Sequence, residues 1–355
     1  MQTAIQHKQR ESNLELFRII VMLFIVAHHY VVNSDILSII KADPTSSNAL
    51  FFFYMGMWGK TGINCFLLIT GWFMCTSRIT LRKLLKLVLE IEFYKIVIGL
   101  VFLITGKESF SVDWLIGLLP IRNIKDGFVP CFLIFYLLIP FLNILVRNLD
   151  RKMHLALIGL LVFLYSFLST IPVFSVTMNY VSWFCTLYII ASYMRLHDFP
   201  LKDGHAVSWF WLSVGAIMLS ALSVWGIIRS GKTVSPYWFV SDANKVMALV
   251  TAICLFNLFR VLNIRPSKFI NAVGATTFGV LLIHANSDSM RQWLWYDLFN
   301  NAGHLSDPLS QLNAILVILL VFAVCSLLDW IRIVLLETPL FSVYDRYEAN
   351  HKHSL

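Results

Sequence analysis

Charge is what this chain has least of. Only 14% of its 355 residues are Asp, Glu, Lys or Arg, while 58% are apolar; a soluble domain is about a quarter charged and about half apolar. The mean hydropathy is +0.73. A surface so short of polar groups has to face lipid rather than water. Cysteine patterning is also missing. Cys65, Cys75, Cys131, Cys185, Cys254 and Cys325 fall inside or at the ends of apolar runs, with no Cys-x-x-Cys pair. That excludes a disulfide framework or a zinc site and leaves small buried apolar residues. No His/Asp/Glu/Cys spacing points to another metal. No linker of low complexity, no clear internal repeat and no stretch long enough for a separate soluble domain is visible. The first apolar run contains Arg18, His28 and His29, and no small-residue cleavage pattern follows it. It is therefore expected to remain as a first helix and not to be removed as a signal peptide.

Long apolar runs are present in their place. A spanning helix needs roughly 20 mostly apolar residues. Ten segments qualify: 14–33, 58–75, 84–105, 128–147, 154–172, 180–196, 207–229, 242–262, 269–287 and 311–336. The predicted fold is all-α, a polytopic transmembrane bundle of about ten helices. Residues 1–13 would form an N-terminal tail, 14–340 the membrane domain and 341–355 a C-terminal tail. The net charge of +8 does not imply nucleic acid as a partner, because the cations sit in short clusters between apolar runs. With the N-terminus in the cytoplasm, the inner loops hold Lys8 and Arg10, then Arg78, Arg82, Lys83 and Lys86, then Arg147, Arg151 and Lys152, then Arg195 and Lys202, then Arg260, Arg265 and Lys268, and finally Arg346 and Lys352. The outer loops, with Lys41, Lys60, Lys107, Arg122, Lys125, Arg229, Lys232 and Arg291, hold half as many. The positive-inside rule thus predicts both termini in the cytoplasm.

Ionisable groups inside apolar helices are costly, so each is a functional suspect. Glu15 and Arg18 are three apart and can pair on one face of the first helix. Arg18 and His29 are eleven apart, about three turns, with a rotation of only ~20° and a rise of roughly 16 Å. One face therefore carries a fixed cation below and a titratable base above. A histidine can take a proton from a hydroxyl, and an arginine can hold phosphate or carboxylate. The competing reading is a buried histidine bonded to a neighbouring helix, with Arg18 snorkelling to the headgroups. Asp329 and Arg332 can pair on the last helix. Glu90, Glu92 and Lys95 are expected to pair with one another or to snorkel.

The run Leu14-Glu15-Leu16-Phe17-Arg18, ten residues, His29 resembles the first-helix signature of the acyltransferase 3 family, Leu-Asp-x-x-Arg, ten residues, His. Glu15 stands for the usual Asp. The run Gly62 to Phe73 resembles a second family stretch, with Thr70 for the common Ser. Lys83 and Lys86 stand in the two positions of the family's basic Arg-x-x-Arg element. Tyr136 to Asn143 resembles the fourth-helix motif of the polysaccharide-modifying branch, with Cys131 where many members have Trp. Trp183-Phe184 through Tyr188 and Thr277 to His284 agree in order as well. The resemblance spans about residues 12–340.

What it implies is an enzyme, a multi-pass O-acyltransferase of the bacterial inner (plasma) membrane. It would move an acyl group, acetyl first among them, from acetyl-CoA or another acyl-CoA to a hydroxyl of a surface or lipid-linked polysaccharide of the cell envelope. His29 is then the expected general base and Arg18 the residue that orients the donor. Glu15, Arg82, Lys83, Lys86 and His284 are the expected substrate-binding residues. The basic cluster is equally what topology requires, and His284 can equally be a buried histidine satisfied by a neighbour. Thr70 and the cysteines leave an acyl-enzyme open, although no nucleophile–base pair is visible in the sequence. The rival reading is a transporter or flippase for a glycan or anionic substrate, which would also use intramembrane charge. Matched broken helices in inverted repeats, the mark of many transporters, are not visible.

Overall fold

In this computed structural model the described residues are 11–122, 124, 127–197, 205–231 and 235–352. Lys8, Arg10, Lys125, Lys202 and Lys232 of the charge-bias argument lie outside them. In chain order the helices are α1 (Ser12–Val32), α2 (Ile36–Ile40), α3 (Ser47–Gly56), α4 (Gly59–Met74), α5 (Leu81–Ile104), α6 (Val112–Gly117) and α7 (Phe128–Asn148). Next come α8 (Arg151–Val162), which runs through a π turn at Phe163–Phe167 into α9 (Leu168–Thr170), then α10 (Tyr180–Leu196), α11 (Ala206–Ser230), α12 (Val246–Val261) and α13 (Lys268–His284). A helix α14 (Asp288–Gln292) continues as a π turn, Trp293–Leu298. The last long helix, α15 (Ser310–Arg332), passes through a π turn at Ile333–Glu337 into α16 (Thr338–Lys352). No strand occurs among the described residues.

Each of the ten apolar segments falls on a helix, but they are not ten equivalent spans. Among the described residues, five helices are long and apolar enough to cross a membrane: Ser12–Val32, Phe128–Asn148, Arg151–Thr170, Ala206–Ser230 and Ser310–Asn350. The bent pair Lys268–His284 and Asp288–Ser306 makes a sixth if taken as one span. The reason is geometric for α4, α10, α12 and α13, which have 16 or 17 residues. At 1.5 Å per residue they reach only about 25 Å, short of a ~30 Å hydrocarbon layer. The α5 helix has the length, at 24 residues, but carries Arg82, Lys83, Lys86, Glu90, Glu92 and Lys95.

The outer faces are apolar. Leu312, Leu316, Leu319, Leu320 and Leu327 of α15, and Leu212, Met218, Leu219 and Leu222 of α11, are exposed. The core is built round α1, which packs against α3, α4, α12, α13 and α15. Many helix starts carry their own acceptor: Ser46, Thr80, Asp150, Asn179 and Ser267 each accept the N–H three residues on, which satisfies donors that a helix end leaves open. Polar side chains from the apolar runs then tie helices together. Trp183 Nε1 donates to Asn64 Oδ1 at 2.9 Å, and Asn64 Nδ2 donates to the Ala243 carbonyl at 2.7 Å. The Tyr188 hydroxyl donates to Asn143 Oδ1 at 2.7 Å.

The connections over 34–57, 106–127 and 288–310 contain α2 and α3, α6, and α14 with a 3-10 turn at Gly303–Ser306. The boundary at residue 340 falls inside a continuous helix that ends only at Lys352. Polar helix formers extend α15 there, and Asp345 anchors the extension on Arg82 at 2.7 Å. Finally, Glu90 pairs not with Lys95 but with Arg332, at 3.0 Å. The π turn brings Glu337, five residues on, to 3.0 Å from the same guanidinium, and Asp329 lies 2.7 Å from it. Tyr94 donates to Asp329 Oδ1 at 2.8 Å. Lys95 donates to the carbonyls of Gly117 and Leu119 instead.

Candidate active site

Helices α1 and α13 run side by side in the same direction. Ser12 Oγ donates to Asn271 Oδ1 at 2.9 Å. One turn on, a Cβ on Gly274 would stand 2.5 Å from Glu15 Oε2, so only glycine lets the helices approach there. At the far end of both helices the pairing has shifted by four residues, about one turn, and His29 meets His284, the last residue of α13. His29 Nδ1 lies 2.9 Å from His284 Nε2, and His284 Nδ1 lies 2.6 Å from the Val280 carbonyl.

Those two bonds fix the tautomers. A carbonyl only accepts, so His284 Nδ1 carries the hydrogen and its Nε2 is left as an acceptor. His29 Nδ1 must then be the donor, which leaves a lone pair on His29 Nε2. His284 is 1% exposed, whereas His29 is only half-buried. The inner ring is locked and the outer one remains approachable. His28 does something else. Its Nδ1 donates to the Gly56 carbonyl at 2.5 Å, and its ring lies where a Cβ on Gly59 would be; it is a packing residue that joins α1 to α4.

After His284 the chain turns by 93° into the segment that begins at α14. That segment covers this end of the bundle. Trp295, fully buried, meets the His284 ring at 6.5 Å and Tyr30 at 5.9 Å. At the same end, Lys60 in the first turn of α4 donates to the Tyr180 hydroxyl and lies 3.7 Å from Asp242. Its ammonium is within electrostatic reach of both His28 and His29. Sequence reasoning counted Lys60 as a loop charge. Its place inside the 58–75 apolar run was the available signal, by the same rule that picked out Arg18.

The opposite end of the bundle is basic. Arg18 pairs with Glu15 at 3.7 Å, as the i, i+3 spacing predicted, and its guanidinium lies 5.7 Å from the Phe73 ring. On the neighbouring residue, Trp72, Arg195 and Arg260 lie over the indole at 4.4 and 5.2 Å. Arg147 Nη2 donates to the Cys75 carbonyl at 2.9 Å. Sequence reasoning placed Arg147, Arg195 and Arg260 only in the topological tally. The expected basic element is arranged differently. Arg82 makes a two-pronged bond to Asp345, at 2.7 and 3.1 Å. Lys86 lies 2.6 Å from Glu337. Lys83 donates to Ser77 Oγ at 2.9 Å and to the Arg78 carbonyl at 2.8 Å. Acids of the last helix and the loop before α5 thus occupy all three. Among the described residues no group of three or more metal-ligating side chains converges.

The two ends therefore divide the chemistry along α1, a base at one end and guanidinium groups at the other. Neither the curated proteins nor the solved structures include a match to the chain. A family model described as an acyltransferase domain matches residues 11–330, nearly the whole described bundle, so the chain belongs to the acyltransferase 3 family and is a membrane-type acyltransferase.

Proposed function

We propose that the protein is an O-acyltransferase that moves an acyl group, acetyl first among them, from acyl-CoA to a hydroxyl of a surface or lipid-linked polysaccharide. The observation that carries this is the hydrogen-bonded chain from His29 through His284 to the Val280 carbonyl. It presents His29 Nε2 as a base with its tautomer and ring orientation already set, which is the state a general base needs.

In this reading His29 Nε2 takes the proton of the acceptor hydroxyl as that oxygen attacks the thioester carbon. The carbon–sulfur bond then breaks, and His29 returns the proton to the departing thiolate. His284 Nε2 accepts from His29 Nδ1–H throughout and supports the imidazolium while it exists. Lys60, held by Asp242 and Tyr180, supplies positive charge near the developing oxyanion. Arg18 and the other arginines face the anionic part of the donor. Direct transfer is favoured over an acyl-enzyme. Thr70 Oγ1 is engaged with the Phe66 carbonyl at 2.9 Å, and the Cys75 and Cys131 thiols donate to backbone carbonyls. We place the protein in a bacterial inner membrane, with the basic end and both termini in the cytoplasm and His29 towards the outside.

The test is to supply acyl-labelled acetyl-CoA to membranes with and without the protein and to follow label into envelope glycan. The enzyme reading predicts label that depends on the protein. A transporter would move substrate without consuming the thioester, so an absence of protein-dependent transfer would contradict the proposal.

A further inference from the structure

We infer that Trp72, Arg195 and Arg260, with Arg147 and Arg18 beside them, form the seat for the phosphate groups of the acyl donor. This rests on the acyl-CoA reading above and assigns that donor to residues other than the basic Arg82, Lys83 and Lys86 element.

The argument starts from one atom. Trp72 is 5% exposed, and its indole N–H is buried with no hydrogen-bond partner among the described residues. Indole nitrogen only donates, and leaving a buried donor unmade is costly. The two guanidinium groups over its ring cannot supply an acceptor, because they are donors too. Arg195 and Arg260 lie over the ring from two different helices, α10 and α12, at 4.4 and 5.2 Å. Arg147 arrives from α7 and binds the Cys75 carbonyl three residues beyond Trp72. Arg18 arrives from α1 over Phe73. Arg195 has no carboxylate partner among the described residues. Arginines from four helices thus gather on the end of a fifth, and two of them lie over the ring whose donor lacks its acceptor. The missing component is a group with several negative charges and several acceptor oxygens, and phosphate meets both requirements.

Topology alone does not explain the arrangement. The positive-inside rule asks for cations in loops, and snorkelling sends them out to the headgroups. Here two guanidinium groups turn inward over a buried aromatic ring. The position also suits the reaction. Trp72 and Lys60 are twelve residues apart on α4, roughly 18 Å along the axis. Phosphates at Trp72 and a thioester at the histidine end are the two poles of a donor with a long flexible arm between them. The same chemistry is offered by the phosphate of an anionic lipid headgroup, so the test has to separate the two sources.

The full-length protein in neutral phosphatidylcholine nanodiscs is titrated with CoA and, separately, with pantetheine, which lacks the phosphates. The variants are Arg195→Gln, Arg195→Lys and Trp72→Phe; the last keeps an aromatic ring but removes the indole N–H together with part of the ring. The seat predicts CoA binding that is at least about tenfold weaker in Arg195→Gln and partly restored in Arg195→Lys. It predicts a smaller loss in Trp72→Phe, read as CoA affinity at a temperature where both proteins are folded. Pantetheine should bind the wild type and the variants alike. CoA binding that is the same in all four proteins would overturn the seat and leave the acyl-CoA reading standing. No CoA binding to the wild type would overturn both. Variants that keep their CoA affinity but lose the stabilisation given by added phosphatidylglycerol would mark a lipid site, and that also overturns the seat.

Discussion

At the scale of single residues, the account turns on which nitrogen of His29 is free. His284 holds the ring through Nδ1 and leaves Nε2 for the acceptor. Replacing His284 by Ala should lower the turnover rate and leave donor binding unchanged, because in the proposed mechanism His284 acts through His29. Replacement by Gln, whose side-chain oxygen can accept from His29 Nδ1, should recover part of the rate. Equal turnover in wild type and His284→Ala would remove the relay. Arg18, His29 and their spacing were legible in the sequence, because a charge inside an apolar helix draws attention. The partner of His29 was not legible as such. His284 lies 255 residues away, and only packing of α1 against α13 decides what it touches. The same holds for Arg82, Lys83 and Lys86. Local sequence shows a basic element, but the acids that neutralise two of its members come from the other end of the chain.

At the scale of helices, the α1–α13 contact is what sets the site, and it depends on close approach at Gly274. An alanine there would put its Cβ 2.5 Å from Glu15 Oε2 and 3.2 Å from the Glu15 carbonyl oxygen. The two helices must then separate, at a cost of about 1–3 kcal/mol. Gly274→Ala should therefore lower the unfolding temperature in detergent and also reduce transfer, although it lies far from the histidines. The buried ion cluster behaves differently. Arg332 is surrounded by Glu90, Asp329 and Glu337, so Arg332→Ala would remove the cation that three carboxylates share, leaving Lys86 on Glu337 and Tyr94 on Asp329, and should cost about 3–5 kcal/mol. A thermal unfolding curve indistinguishable from wild type would contradict this. Helix positions were readable from apolar runs because burial in a membrane leaves long unbroken stretches. Their spanning capacity was not, because α4, α10, α12 and α13 are cut short by turns that hydropathy alone does not resolve.

At the scale of the whole molecule, the bundle has a histidine end and a basic end, and the proposed reaction needs them on opposite sides of a membrane. Ser109 lies at the histidine end and Arg346 at the basic end, both exposed, while five of the six native cysteines are buried and Cys185 is half-buried. A Ser109→Cys variant should react with an impermeant maleimide in intact cells. Arg346→Cys should react only after permeabilisation. The reverse pattern would invert the topology and put the donor on the wrong side.

The most direct test of the central claim compares wild type with His29→Ala at equal expression and equal thermal stability, in membranes given labelled acetyl-CoA and scored for label in envelope glycan. Loss of a general base predicts a fall in rate of about 10²- to 10⁴-fold. Undiminished transfer by His29→Ala would show that the paired histidines are structural and that the base lies elsewhere.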